Sequence, residues 1–251
     1  MDDRKLRLRQ LNRVGGACAM AVGASYAVVT PAFLLDRTRG ILDPKKLWPG
    51  LARNSTPRVT QYWAYALGAS AALGALPAIT ELVRDRQEGL VRWASGLAYL
   101  SFGVTAAETF RLITATPDWA RKYVTGDATV RTAIETTDLL LRLDPATFLR
   151  FGALSPFFLT VNLLARRHGL LPRGLTTVGI GLGVLTGTTA LGIFLQAGPL
   201  VMVSAVLGGA VAAPVWFVWT GLELRKLAAE DDEVPVAVAE PAPALVGMLD
   251  D

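Results

Sequence analysis

The stretch GLTTVGIGLGVLTGTTALGIFLQAGPLVMVSAVLGGAVAAPVWFVWTGL, from Gly174 to Leu222, decides the fold because it contains no Asp, Glu, Lys or Arg. The segment Gln196-Ala-Gly-Pro199 divides it into two apolar halves joined by a turn. A helix needs about 20 apolar residues to cross a bilayer, and each half is long enough. The stretch therefore predicts two membrane-spanning helices, at 174–196 and 199–222.

The composition of the whole chain also indicates an integral membrane protein. Hydrophobic residues make up 52% of the sequence and charged residues 18%, whereas soluble domains carry roughly 25% charge. The net charge of +4 does not indicate a nucleic-acid partner, because the basic residues flank apolar segments and form no separate basic domain. The excess of Arg over Lys is typical of a GC-rich bacterial genome. A single cysteine, Cys18, and a single histidine, His168, exclude an internal disulfide and an imidazole-based metal or haem site within one chain.

Four further apolar segments lie upstream and predict spans at 14–35, 59–83, 90–115 and 145–165. The first follows a basic segment, residues 1–13, which begins as a signal peptide would. Its apolar part is longer than the roughly 7–15 residues of such a peptide and lacks a clear Ala-x-Ala cleavage site, so we expect an uncleaved helix. The sequence thus predicts an all-α membrane bundle of six transmembrane helices.

Two long connections between the spans carry helical patterns of their own. Asp43-Pro44 is typical of an N-cap followed by proline at the first helical position. Thr116-Pro117 predicts the start of a new helix after the third span. Beyond Ala128, apolar residues recur at helical spacing on one face, and Arg131, Glu135, Asp138 and Arg142 recur on the other. This pattern predicts an amphipathic extracytoplasmic helix that lies in the interface or caps the bundle.

The charge distribution predicts how the chain is oriented. Six spans place both termini on one side, and the short loops at 81–92 and 166–173 are rich in arginine, whereas the turn at 196–199 carries no charge. The positive-inside rule then puts the termini in the cytoplasm and the protein in the cell (inner or plasma) membrane. The tail, 228–251, is acidic and rich in Pro and Ala, which predicts disorder. Four tryptophans are expected near span ends, where indole rings prefer to lie: Trp63, Trp93, Trp216 and Trp219.

Small residues and prolines mark the packing of the predicted spans. Small residues recur at every fourth position in the first and fifth spans, which lets helix backbones approach closely. These residues are Gly15, Ala19, Gly23 and Ala27, then Gly179, Gly183 and Gly187. Packing between helices within the bundle explains these small residues. The alternative is that they serve homo-oligomerisation or contact with a membrane partner. Prolines inside spans, Pro31, Pro77, Pro156 and Pro214, predict kinks.

Three ionisable residues inside the predicted spans, Glu108, Arg111 and Arg150, are the strongest indication of a site, because intramembrane charge is costly and normally paired. Glu108 and Arg150 each lie 16 residues from an arginine at the inner end of their span. At 1.5 Å per residue, both therefore stand about 24 Å above that end. We predict that Glu108 pairs with Arg150, Arg111 or both and faces the bundle interior. A structural ion pair and a site for a ligand, proton or ion remain alternatives.

Two short motifs resemble a known group. The stretch ARRHGLLPRG, Ala165 to Gly174, and the stretch PVWFVWTG, Pro214 to Gly221, are similar to bacterial six-span membrane proteins collected as the domain of unknown function 4386. In that group a Gly-x-Leu-Pro turn enters the fifth span, and a Trp-containing last span ends in Gly before a basic residue. The resemblance covers about residues 145–226 and implies six helices with no known activity and no catalytic residues. The acidic tail after Lys226 departs from the pattern.

The sequence leaves the function open. It contains no Gly-x-Ser-x-Gly, His-Glu-x-x-His or Gly-x-x-x-x-Gly-Lys motif. We therefore expect a protein that is not an enzyme, with no catalytic, metal-binding or cofactor-binding residues. One hypothesis is assembly in the lipid bilayer with partners through helix packing, and the other is a small transporter or channel for a solute or ion. A continuous polar cavity would favour transport, and a solid bundle would favour assembly. An intramembrane enzyme is the third and weakest hypothesis.

Overall fold

The computed structural model describes residues 3–41, 43–140, 144 and 148–233. Within these ranges the chain is helical and contains no β-strand. The elements are α1 (Asp3–Leu35), α2 (Pro44–Arg53), α3 (Thr56–Arg84), α4 (Glu88–Thr125), α5 (Ala128–Leu140), α6 (Phe148–Gly152), α7 (Leu154–Arg167), α8 (Arg173–Phe194), α9 (Gly198–Val206), a π-helical segment (Leu207–Ala212) and α10 (Ala213–Glu233).

The long helices form an antiparallel bundle. α1 packs against α3 and α10, α3 packs against α4, and α7 packs against α8. One end of the bundle, which we call the termini end, holds the start of α1 and the end of α10. The α3–α4 turn lies at this end, where Arg4 approaches Asp85 at 3.6 Å, and so does the α7–α8 turn, where Gly174 lies against Trp219. The opposite end is called the far end.

Four helical stretches are long and apolar enough to cross a membrane: Arg4–Leu35, Thr56–Arg84, Arg173–Phe194 and Gly198–Glu230. The last of them joins α9, the π segment and α10. Large apolar side chains on these helices are exposed, including Leu35 at 69%, Phe194 at 77% and Met202 at 67%. Such a surface is unfavourable in water and is typical of contact with lipid. These observations indicate an all-helical integral membrane protein.

The core is built around aromatic rings that join α4, α7 and α10. Phe158 and Trp216 pack edge to face with ring centroids 5.0 Å apart, and Trp216 packs against Phe217 at 4.9 Å. Phe102 of α4 contacts Phe217 at 6.3 Å. Edge-to-face contacts at these distances add to the stabilisation from burial. Trp216 is completely buried, so its indole ring contacts the protein core.

α4 is longer than the sequence predicts. The expected new helix at Thr116-Pro117 does not form, because α4 continues through Pro117 to Thr125. Pro117 cannot donate to the carbonyl of Ile113, which costs the helix one hydrogen bond. Burial of the last turns of α4 against α2 and α5 offsets that loss. The buried cluster there consists of Trp48, Leu51, Ala120, Tyr123 and Ile134.

The two short far-end helices begin at capping aspartates. Asp43 accepts a hydrogen bond from the Lys45 amide at 3.0 Å, and Asp127 accepts one from the Val130 amide at 2.9 Å, as N-caps do. In α5, Ile134 is buried, whereas Val130 is 37% exposed. The predicted apolar face of this helix is therefore only partly covered. Residues 141–143, at the end of the predicted pattern, lie outside the described residues.

Two boundaries and one packing position differ from expectation. α1 begins at Asp3, within the basic N-terminal segment, and α10 continues to Glu233, past residue 228, where the disordered tail was expected to begin. Ala228 is buried against the bundle, which favours continuation of the helix; residues 234–251 lie outside the described residues. Ala27 is exposed rather than packed. A repeat of four advances about 40° beyond a full turn at each step, so the fourth small residue has rotated away from the contact face.

Candidate functional site

Glu108 and Arg150 meet inside the far half of the bundle. Nη2 of Arg150 donates to Oε2 of Glu108 at 3.1 Å, and Glu108 is 6% exposed. The amide of Arg150 donates to Asp144 at 2.9 Å, and its carbonyl accepts from Ser101 of α4 at 3.0 Å. These contacts fix α6 on α4. The predicted pairing of Glu108 with Arg150 is therefore confirmed.

Arg111 does not join that pair. Its guanidinium lies over the Trp119 ring, 5.5 Å from the centroid. Among the described residues, neither of its buried terminal nitrogens, Nη1 and Nη2, has a hydrogen-bond partner. A cation–π contact compensates only part of such a desolvation, because it satisfies none of the N–H donors. Of the two arginines that were expected near Glu108, the structure brings only Arg150 to the carboxylate.

A cavity of about 520 Å³ lies beside Arg150, which forms part of its wall. The cavity is lined by α1, α8, α9 and the π segment, with contributions from α3, α4, α6, α7 and α10. Most of its lining is aliphatic or aromatic. Representative apolar lining residues are Phe102, Phe151, Leu154, Phe158, Leu182 and Ala205. Its size and lining are those of a small-molecule site, which is typically about 300–1,000 Å³ and mostly apolar.

Two tyrosines share this cavity with Arg150. Tyr26 of α1 and Tyr65 of α3 contact each other edge to face, with centroids 6.0 Å apart. Within the described ranges neither hydroxyl makes a hydrogen bond. Sequence reasoning missed both residues. The available signal is that a Tyr inside an apolar span needs a partner for its hydroxyl.

The π segment forms one wall of the cavity through Gly208, Gly209 and Ala210. The amide of Ala213 donates to the carbonyl of Gly208, five residues back. Pro214 follows, and it has no amide hydrogen to continue the α-helical pattern. A widened turn accommodates the proline ring, so the predicted kink at Pro214 takes the form of a π segment. Such segments are frequent at functional sites.

The small-residue stripes are used within the chain. A side chain at Gly15 would meet Ala78, one at Gly23 would meet Val218, and one at Gly183 would meet Leu159. Ala19 is also fully buried, and a side chain at Gly179 or Gly187 would meet Asn162 or Ser155 of α7. The glycines therefore serve close contacts of α1 with α3 and α10, and of α8 with α7. At these glycines the helix faces are occupied by other helices of the same chain.

Asn162 forms a buried polar contact that the sequence did not reveal. Its amide nitrogen donates to the Phe158 carbonyl at 2.8 Å, and its oxygen accepts from Nε1 of Trp216 at 3.0 Å. Gly179 of α8 lies directly against this amide, with no room for a side chain. The contact joins α7, α8 and α10 beside the aromatic core. It is satisfied within the protein and therefore has a structural role.

A second ion pair holds the far end of α1. Arg58 donates from Nε to Asp36 at 2.5 Å, and both the amide and the hydroxyl of Thr38 donate to the same carboxylate. Burial alone would raise the pKa of Asp36, but the hydrogen bonds from Thr38 and Arg58 outweigh it and hold the pKa below its ordinary value. This pair connects the exit of α1 to the start of α3.

The described residues contain no group of three or more His, Cys, Asp or Glu side chains that could hold a metal ion. No protein-family model, curated protein or solved structure matches the chain. The similarity to the domain of unknown function 4386 thus stays a prediction based on the two motifs quoted above.

Proposed function

We propose that this chain is a six-span, non-enzymatic protein of the cell membrane that binds an amphipathic small molecule in its far-end cavity. The observation that carries the proposal is the cavity itself: it is mostly apolar, and its described wall includes one charged side chain, Arg150. A solid bundle would favour partner assembly, and a continuous polar path would favour transport of an ion or polar solute. An apolar cavity with one charged side chain in its wall fits neither as well as it fits an amphiphile.

The exposure pattern of α4 supports a fifth crossing. Its buried face carries Ser101, Thr105 and Glu108, whereas Trp93 and Leu100 are exposed at 56% and 47%. A helix that is polar inward and apolar outward is suited to a bundle in lipid. The buried polar residues also explain why α4 is less apolar overall than the four other candidate spans.

α6 and α7 together support the sixth crossing. They run from Phe148 to Arg167 with a break only at Ala153. These 20 residues rise about 30 Å at 1.5 Å per residue, which equals the thickness of the hydrocarbon core. The basic residues Arg166 and Arg167 end α7 at the termini end. With the arginine-rich α3–α4 turn, they support a cytoplasmic location for that end.

In this orientation the cavity belongs to the outer half of the membrane. Leu34 and Met202 line the cavity and are also 62% and 67% exposed. They belong to α1 and α9, which pack less closely here than α1 and α10 do at the termini end. The opening between them would face lipid, so an amphiphile would enter from the outer leaflet without crossing water.

A matched pair of substitutions on α9 tests the proposal. Ala205→Phe places a ring inside the cavity, whereas Val203→Phe adds one on the lipid-facing surface, where Val203 is 59% exposed. The probe is a long-chain fatty acid with a photoreactive group in its chain, offered to the purified protein in nanodiscs. We expect Ala205→Phe to lower saturable labelling at least about tenfold and Val203→Phe to leave it unchanged. Equal labelling of wild type and Ala205→Phe contradicts the proposal.

A further inference from the structure

Resting on the proposed function, we infer that the polar end of the ligand is an oxyanion, a carboxylate or a phosphate, held by Arg150, Tyr26 and Tyr65. All three side chains line the same cavity. Among the described lining residues Arg150 is the one with a formal charge, and the wall contains no acid. The cavity thus presents positive charge and hydrogen-bond donors to an occupant whose remaining surface contacts apolar side chains.

The hydrogen bonds of Arg150 leave it able to take a second acceptor. In the described part of the chain, Nη2 is the one guanidinium nitrogen with a partner, which is Glu108. Nε is buried without a partner. Glu108 therefore holds one edge of the guanidinium from the side of α4 and leaves the remaining N–H groups uncommitted. A planar guanidinium commonly binds oxyanions with two parallel hydrogen bonds.

At Arg150 the cavity wall offers hydrogen-bond donors rather than acceptors. Among the described residues, Nε of Arg150 is a buried donor without a partner. The nearby acids are already engaged, Glu108 by Arg150 and Asp144 by the Arg150 amide. Unsatisfied buried donors are rare in native structures and call for an acceptor. A head group that binds at Arg150 would therefore supply oxygen atoms rather than N–H groups.

Tyr26 and Tyr65 add two further hydrogen-bond donors to the cavity wall. Their hydroxyls have no partner among the described residues, and both can donate to an oxyanion. Hydrogen bonds to a charged acceptor are about twice as strong as those between neutral groups. The paired rings also provide an apolar surface next to the head group, which excludes water and strengthens the contact.

The test compares head groups on one chain. A fluorescent long-chain fatty acid, its methyl ester and a single-chain phosphate monoester of equal length are titrated into wild type and into the Tyr26→Phe/Tyr65→Phe double variant in nanodiscs. Tyr99→Phe on α4 is the control, because Tyr99 is 39% exposed and does not line the cavity. The double variant removes only hydroxyls that have no partner in the described part of the chain, so it should fold normally, which its melting curve checks.

We expect wild type to bind the acid and the phosphate ester at least about tenfold more tightly than the methyl ester. The double variant should lose that preference and keep its affinity for the methyl ester, whereas Tyr99→Phe should behave as wild type. Arg150→Lys, which retains the charge but not the planar fork, should weaken the two anionic probes. Acetate and inorganic phosphate should not displace the probes, because they lack an apolar chain.

Three outcomes overturn the inference. The first is equal affinity of wild type for the acid and its methyl ester. The second is an equal loss of affinity for the acid and for its methyl ester in the double variant, which would mean that the hydroxyls only shape the cavity. The third is displacement by acetate or inorganic phosphate, which would make this a site for free anions. If Ala205→Phe did not change the binding of any probe, that result would instead contradict the proposed function itself.

Discussion

Glu108 is the carboxylate on which the polar layer depends. Its position could be predicted from the sequence, because equal spacing from two inner arginines places it and Arg150 at one depth. Tyr26, Tyr65 and Asn162 could not be found in that way. Their significance comes from which helices are neighbours, and hydrophobic periodicity does not encode neighbourhood. The failure of Arg111 to join the pair has the same cause, since the Trp119 ring that faces it depends on the unexpected length of α4.

Loss of the Glu108 carboxylate should destabilise the protein more than loss of a surface acid. Glu108→Gln leaves the Arg150 guanidinium facing a neutral amide in a mostly buried site. Breaking a fully buried pair costs about 3–5 kcal/mol. Arg150 is 23% exposed, so we expect about 1–3 kcal/mol here, seen as a lower melting temperature in nanodiscs. The control is Glu88→Gln, because Glu88 is half exposed and pairs with Arg92 at 2.8 Å. Equal melting temperatures of Glu108→Gln and Glu88→Gln would show that the Glu108–Arg150 pair does not contribute to stability.

Asp36 should make stability depend on acid pH. Its pKa in the folded protein lies below the ordinary value of 3.8. The stabilisation is therefore fully present above that ordinary value and is lost as the pH falls through the lower, folded pKa. We expect Asp36→Asn to melt earlier than wild type at neutral pH and the difference to shrink at acid pH. Asp118→Asn, at an exposed pair with Lys122, should have little effect at either pH. If the difference in melting temperature between Asp36→Asn and wild type stayed constant across the pH series, the lowered pKa of Asp36 would be contradicted.

At the scale of the elements, the positions of the long helices could be predicted from the sequence, but the residues at which they end could not. The apolar segments located all the long helices, because burial and lipid contact both select apolar residues at this length. The sequence placed a break at Pro117, but tertiary packing of the last turns of α4 outweighs one lost hydrogen bond. The small-residue stripes marked real contacts of α1 and α8, although Ala27 left the face through helical drift. The widened turn before Pro214 was predicted only as a kink.

The contact of α8 with α7 should depend on one glycine and not on its neighbour. A methyl group at Gly179 would overlap the Asn162 amide, whereas one at Gly181 would meet nothing within 4 Å. Gly181→Ala should stabilise the helix by roughly 0.5–1 kcal/mol through backbone entropy. Gly179→Ala should lower the melting temperature instead, since it displaces Asn162 from Trp216. Adding Asn162→Ala to Gly179→Ala should recover part of the loss. If both glycine variants are stabilised, the contact between the helices is looser than the structure shows.

The π segment should connect backbone geometry to ligand binding. Pro214→Ala restores an amide that can donate to the carbonyl of Ala210, which favours a regular α-helix and narrows the wall formed by Gly208 and Gly209. We expect a higher melting temperature together with weaker binding of the fatty-acid probe. Pro77→Ala in α3 is the control, because Pro77 does not line the cavity. An unchanged affinity in Pro214→Ala would separate the π segment from the site.

For the whole molecule, the outer surface rather than the apolar core distinguishes this chain from a soluble protein. Polar side chains such as Glu108 and Asn162 are buried, and Phe194 and Met202 are exposed. Lipid makes this pattern favourable, because exposed apolar groups lose nothing there and polar groups must find partners inside. The composition predicted the membrane class for this reason. The cavity could not be predicted from the sequence. It lies where α1 and α9 diverge, and the divergence of two helices produces no periodic pattern of residues.

The number of crossings can be decided by labelling two positions, in a Cys18→Ser background that removes the native thiol. Asp127, between α4 and α5, and Arg167, at the end of α7, are both exposed. With six crossings, a cysteine at 127 reacts with an impermeant maleimide added outside intact cells, and one at 167 reacts only after the membrane is opened. With four crossings, α4, α6 and α7 would remain on the side of the termini, and both positions would be protected. The positive-inside rule predicts protection of a cysteine at Arg86 in either case, which makes it the internal control. We expect the six-crossing pattern, because α4 turns its apolar face outward and α6 with α7 reaches about 30 Å, the thickness of the hydrocarbon core.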